Sequence, residues 1–109
     1  MLRTRFTDLV GCEVPIQQAG MGGVAMPPLV HAVSAAGGVG TLGGVMIPPP
    51  ALAAMLDHLR AQTDRPFGVN FLIPFVDPEA VRIAASRASS SPESSPSTSA
   101  KSLASRKLR

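Results

Sequence analysis

The stretch FGVNFLIPF, residues 67–75, is apolar on both faces apart from Asn70. A strand of alternating polarity can leave one face in water, but an uninterrupted apolar strand needs cover on both. That cover is characteristic of a parallel sheet flanked by helices. The neighbouring segments supply the flanks. VPIQQAGM, residues 14–21, reads as a short strand ending in a glycine turn. PPLVHAVSAAGG, residues 27–38, has Leu29, Val30, Val33 and Ala36 at helical spacing. Its prolines suit a first helical turn and Gly37 suits the stop. GVGTLGGV, residues 38–45, reads as a slim strand followed by the MIPPP turn. PPALAAMLDHLRAQT, residues 49–63, is the clearest helix, with Leu52, Met55, Leu56 and Leu59 along one stripe. After the apolar strand, DPEAVRIAASRA opens a third helix, with Asp77 as N-cap and Pro78 at the first helical position. The order βαβαβα with short connections predicts an α/β chain of parallel βαβ units, in a barrel or a doubly wound sheet.

The pattern fails after Arg87. The remaining residues, 88–109, are dominated by Ser with Pro and basic residues. They bury too little apolar surface to offset chain entropy, so they read as a disordered tail beside a folded unit at 1–87. The change falls inside a helix, whereas a linker usually starts at an element boundary. The expectation is a shortened chain whose tail is translated from a non-native frame. The tail also skews the charge. Of the formal +3, Lys101, Arg106, Lys107 and Arg109 lie in the tail against Glu93, while residues 1–87 carry six arginines and six acids. A neutral body without Tyr or Trp offers neither the charge footprint nor the stacking surface for nucleic acid. No apolar run is long enough to span a membrane, and the start lacks the apolar core of a secretory signal. Cys12 is the single cysteine, which fits a reducing compartment and a cytoplasmic location.

Gly38, Gly40 and Gly43 spell G-x-G-x-x-G. A dinucleotide fingerprint needs a strand before these glycines and a helix after them, so that the helix N-terminus holds the pyrophosphate. Here a helix precedes the glycines, and they lie in a strand followed by MIPPP. They read instead as a helix stop and a slim strand. Gly43 and Gly44 fall at a strand's C-terminal end, where a flat cofactor approaches the backbone in parallel α/β folds. Other polar residues read as structural. His31 and His58 lie within helices and form no metal set, Ser34 has no base near it in sequence, and Cys12 precedes the first strand. Gln17 and Gln18 are adjacent, so one faces the sheet's inner side and the other its helices. Asn70 is the polar exception in its strand, and a buried carboxamide needs partners, either neighbouring backbone or a ligand.

Together, RFTDLVGCEVPIQQAGMGGVAMPPLVHAVSAAGGVGTLGG and DRPFGVNFLIP resemble the N-terminal part of the nitronate monooxygenases, also known as 2-nitropropane dioxygenases. The resemblance rests on a P-I-x-Q-A-x-M segment, an A-V-S-x-A-G-G helix end and a P-F-G-V-N strand, in that order. It implies a (β/α)8 TIM barrel, of which this chain holds about three βα units. It also implies FMN at the strand ends and alkyl nitronate and dioxygen as substrates, with no metal. By resemblance, the flavin contacts are Ala19, Gly20, Met21, Gly22 and Asn70. The family has Pro where this chain has Gly20, which leaves the turn looser. Its catalytic histidine lies in later barrel elements, so no catalytic residue is expected here and the chain is expected to be inactive alone. FMN-dependent enoyl-acyl-carrier-protein reductases share similar segments and are the alternative, beside a non-enzymatic remnant.

Overall fold

The computed structural model describes residues 2–89. In chain order the elements are α1 (Arg5–Val10), α2 (Pro27–Ala35), β1 (Gly40–Gly43), α3 (Pro49–Gln62), β2 (Phe67–Asn70), a 3-10 turn (Ile73–Phe75) and α4 (Pro78–Ser89). β1 and β2 pair in parallel, with Gly40 opposite Phe67 and Gly43 opposite Asn70. The result is an α/β unit: a two-stranded parallel sheet with helices packed on it.

All three expected strands are shorter than their sequences suggest, and the one expected over 38–45 spans Gly40–Gly43. Residues 14–21 contribute a single parallel bridge, Gln17 to Val39. Gln18 N–H donates to the Val39 carbonyl (2.9 Å), and Val39 N–H donates to that of Ile16 (2.9 Å). Backward of the bridge, Ile16 N–H turns to the Val14 carbonyl (2.8 Å) and does not extend the ladder. Forward of the bridge, the chain turns away at residue 19. The strand expected over 67–75 ends at Asn70, because Pro74 favours the 3-10 turn that closes with Phe75 N–H on the Leu72 carbonyl (2.9 Å). Burial also differs from expectation. The glycine-rich β1 is buried throughout, whereas apolar β2 is half-exposed along its length.

α1 has no apolar stripe to announce it. Its signals are a capping box and a stop. Thr4 Oγ1 accepts from Thr7 N–H (3.2 Å), and Thr7 Oγ1 accepts from Thr4 N–H (2.8 Å). Gly11, at φ +84°, ends the helix in the left-handed region. The expected cap of α4 is present, since Asp77 Oδ1 accepts from Glu79 N–H (2.8 Å). α4 runs to Ser89, so residues 88 and 89 are helical. The rest of the expected tail lies outside the described residues.

The core joins Val30 of α2, Leu42 of β1, Leu52, Leu56 and Leu59 of α3, and Ala80 and Ala84 of α4. The predicted α3 stripe supplies three of these residues. One buried hydroxyl locks the layers together. Ser34 Oγ accepts from Gly40 N–H (3.1 Å) and donates to the Pro66 carbonyl just before β2 (3.1 Å). Ser34 and Gly40 are buried, so Gly40 N–H has no water as a substitute. Ser34→Ala should lower the unfolding free energy by about 1–3 kcal/mol. The measurement is the urea midpoint, expected to fall at an unchanged slope; an unmoved midpoint would contradict this role.

Candidate functional site

The candidate site lies at the C-terminal ends of β1 and β2, where residues 19–22 cross Gly43 and meet Asn70. The approach is close because the strand has no side chains there. A β-carbon on Gly43 would lie 2.5 Å from the Met21 carbonyl oxygen and 2.9 Å from Gly22 N. One on Gly22 would lie 2.5 Å from Val45 Cγ1. Gly43 N–H donates to the Ala25 carbonyl (3.0 Å), which fixes the far end of the loop.

Asn70, at the end of β2, donates from Nδ2 to the Gly20 carbonyl (2.8 Å). The expectation left its partner open between backbone and ligand. One amide hydrogen goes to backbone 50 positions away in sequence, and Oδ1 has no protein partner among the described residues. A β-carbon on Gly20 would lie 2.5 Å from Asn70 Cγ. Asn70 therefore occupies the space that a larger residue at 20 would fill. The resemblance implies proline at that position, so the carboxamide takes up room that this glycine leaves.

Gly20, Met21, Gly22 and Asn70 thus meet at one place, with Ala19 exposed beside them. The loop's hydrogen bonds are polarised. Met21 O accepts from Val24 N–H (3.2 Å) and Ala25 N–H (2.8 Å), Gly20 O accepts from Asn70, and Ala19 O accepts from the Gln18 side chain. The N–H groups of residues 19–23 have no acceptor among the described residues. With three carbonyls spent on the protein and its N–H groups without protein acceptors, the loop offers hydrogen-bond donors to an acceptor-bearing group placed beside it. Asn70 Oδ1 adds an acceptor at its edge.

The space above the other glycines is already filled. Gly43 is covered by the Met21–Gly22 backbone, and a β-carbon on Gly44 would meet the Asn70 carbonyl at 2.7 Å. These two glycines admit protein where a cofactor's approach was expected. Beyond Gly44 is a pocket of about 200 Å³ lined by Gly44, Met46, Ile47, Pro48, Pro49, Phe71, Phe75, Asp77 and Ala80. Met46, at φ +62° and 80 % exposed, stands at its rim.

His58 is exposed on α3, and His31 is half-buried on α2 with Nδ1 unpartnered. Among the described residues, no three of His, Cys, Asp and Glu come together. Cys12 donates weakly from Sγ to the Val14 carbonyl (3.3 Å), and burial pushes its thiol pKa up. Among the described residues, no helix is long and apolar enough to cross a membrane. Sequence reasoning missed Thr41, which both glutamines contact. Gln17 Nε2 donates to Thr41 Oγ1 (3.1 Å), and Gln18 pairs with the Thr41 backbone. The available signal was a pair of long amides in a segment whose backbone ladder is cut short.

A sequence model of the nitronate monooxygenase family matches residues 3–97. The chain is similar to a probable nitronate monooxygenase of Staphylococcus saprophyticus, 42% identical over 73 residues, covering 67% of this chain and 21% of the relative. It is also similar to a (3aS,4S,5R,7aS)-5-hydroxy-7a-methyl-1-oxo-octahydro-1H-indene-4-carboxyl-CoA dehydrogenase of Mycobacterium tuberculosis. There it is 48% identical over 69 residues, covering 63% of this chain and 19% of the relative. Among solved structures, FabK from Thermotoga maritima superposes with a TM-score of 0.73 at 39% identity, covering 79% of this chain and 28% of that one. A nitroalkane oxidase from Streptomyces ansochromogenes gives 0.59 at 39% identity, covering 76% and 24%. The chain spans about a fifth of the length of these curated relatives.

The Gly20–Asn70 contact predicts a specific coupling. Gly20→Ala should displace the carboxamide and cost about 1–3 kcal/mol, and Asn70→Ala should cost a similar amount. The double variant should be no less stable than Asn70→Ala alone, because the clash and the bond are then both gone. Urea denaturation of the four proteins checks this, and simple additivity would contradict the contact.

Proposed function

The chain belongs to the nitronate monooxygenase family, and from that premise we propose that it is the amino-terminal part of an FMN-dependent oxidoreductase that oxidises alkyl nitronates with dioxygen. In this reading its parallel strands are the first of a (β/α)8 barrel, with residues 14–18 as the barrel's first strand. The observation that carries the reading is the loop at 19–23. The carbonyls of Ala19, Gly20 and Met21 are bound by the protein, the N–H groups of residues 19–23 have no acceptor among the described residues, and Gly20 and Gly22 let the loop pack against Asn70 and Val45.

These residues fit one edge of a planar, acceptor-rich ring. Residues 19–22 would lie along it, with their N–H groups directed to its oxygen and nitrogen acceptors. Asn70 would hold the loop through Gly20 and present Oδ1 to a ring N–H. A bound flavin supplies the two-electron oxidation chemistry of this family. The residues here orient and desolvate; none of the described side chains at the site is a general base. The proton-handling group and the phosphate-binding loops are assigned to later parts of the barrel, in line with catalytic residues contributed by several strand ends. The lone cysteine fits a reducing, cytoplasmic setting.

A related flavin enzyme reducing enoyl-acyl-carrier-protein is the second reading, and the FabK match is compatible with it. The two share the flavin wall described here and differ in parts of the fold that this chain does not span.

Titration of the 109-residue chain with FMN tests the reading. Flavin fluorescence polarisation should rise on binding, the flavin should be lost readily on desalting, and nitronate-dependent oxygen uptake should be absent. No polarisation change at any protein concentration would overturn the flavin assignment. Turnover by the chain alone would overturn the placing of catalysis in later elements.

A further inference from the structure

We infer that Gln18 is a positioning residue for the 19–22 loop, its side chain serving as one more peptide unit of the sheet. The backbone ladder of the first segment stops at the Gln17–Val39 bridge. One step further along β1, Thr41 needs a partner on that edge for both its N–H and its C=O, and Thr41 is 1 % exposed. Gln18 supplies both. Oε1 accepts from Thr41 N–H (3.1 Å), and Nε2 donates to the Thr41 carbonyl (3.0 Å). This pairing fixes the orientation of the amide, since a backbone N–H only donates and a backbone carbonyl only accepts. The same Nε2 faces the Ala19 carbonyl, the first peptide of the loop.

The substitution of side chain for backbone has a geometric consequence. If residues 18–20 continued the ladder themselves, their backbone would run along β1. Because the Gln18 side chain satisfies Thr41, the main chain is released at residue 19 and swings across Gly43. There Asn70 holds the Gly20 carbonyl (2.8 Å). Two carboxamides from different segments thus hold successive carbonyls, and the N–H groups of residues 19–23 have no acceptor among the described residues. The role of Gln18 in loop placement stands on these contacts alone; its effect on cofactor affinity rests on the flavin reading.

Gln18→Glu distinguishes positioning from bulk. A carboxylate retains the acceptor for Thr41 N–H but directs its second oxygen at the Thr41 and Ala19 carbonyls. The introduced carboxyl group is therefore held protonated more readily than in water. In the full chain without FMN, amide NMR signals of residues 19–23 should shift from their wild-type positions at pH 8 and return toward them at pH 5, where the O–H again donates. Gln18→Leu should shift the same signals at both pH values. FMN affinity relative to wild type at the same pH should fall about tenfold for Gln18→Glu at pH 8, the equilibrium equivalent of about one hydrogen bond, and recover at pH 5. A shift confined to Thr41, with residues 19–23 unmoved in Gln18→Glu at pH 8, would overturn the positioning role. Loop signals that move and return with pH, in a wild-type chain that binds no FMN, would uphold the positioning role while removing the flavin reading.

Discussion

The structure depends on how little β1 occupies. Three segments converge on this strand at distances that a side chain would forbid. The α2 backbone at Val30 is packed so closely on Gly40 that a β-carbon would lie 2.8 Å from Val30 Cα. The Met21–Gly22 backbone crosses Gly43, and just past the strand Gly44 N–H donates to the Asn70 carbonyl at the end of β2 (2.9 Å). Between these glycines, Thr41 and Leu42 face opposite ways. Leu42 enters the core with Leu52 and Leu56, and Thr41 receives the two glutamines. The strand links the hydrophobic layer, which supplies stability, to the polar loop, which supplies the candidate site. Adding a methyl group to any of these glycines would move a backbone, and backbones yield less easily than side chain ends.

The loop follows from this arrangement. Residues 19–22 are not regular structure, yet each of the first three carbonyls is bonded, by Gln18, by Asn70 and by the turn into residue 25. A loop tied through its carbonyls presents donors. That polarity suits a cofactor rich in acceptors, and it arises without a charged side chain at the site. It also explains why the motif G-x-G-x-x-G misleads in this chain. In a dinucleotide fold such glycines lead into a helix whose N–H groups bind phosphate. Here the free N–H groups belong to a different segment, residues 19–23, and of the motif glycines Gly43 makes room for it while Gly40 makes room for Val30.

Much of this was legible in the sequence. The α3 stripe, the Gly37 stop at φ +103° and the Asp77 cap follow from local rules, and the structure carries each of them. Resemblance to a family singled out Ala19, Gly20, Met21, Gly22 and Asn70, and the structure places Gly20 against Asn70 and Met21 and Gly22 against Gly43, with Ala19 exposed beside them. What escaped was long-range. The pairing of Gln18 with Thr41 spans 23 positions, and no spacing rule announces an amide that stands in for a peptide. The segment 14–21 reads as a regular strand from its apolar content, yet Ile16 N–H bonds the Val14 carbonyl next to it in sequence instead of continuing the ladder. β2 looked the more buried strand because its residues are apolar, but burial depends on neighbours. β2 has β1 on one side, and its other edge carries no strand among the described residues. α1 is too short for periodicity and is held by its caps.

The proposed flavin wall is the loop at 19–23, packed on Gly43 and held by Asn70. The most direct measurement is amide chemical-shift mapping of the full chain as FMN is added. The largest shifts should fall on the N–H groups of residues 19–23 and on the Asn70 side-chain amide. Shifts centred instead on the pocket at Met46, Ile47, Phe71 and Phe75, with residues 19–23 unmoved at saturation, would contradict it.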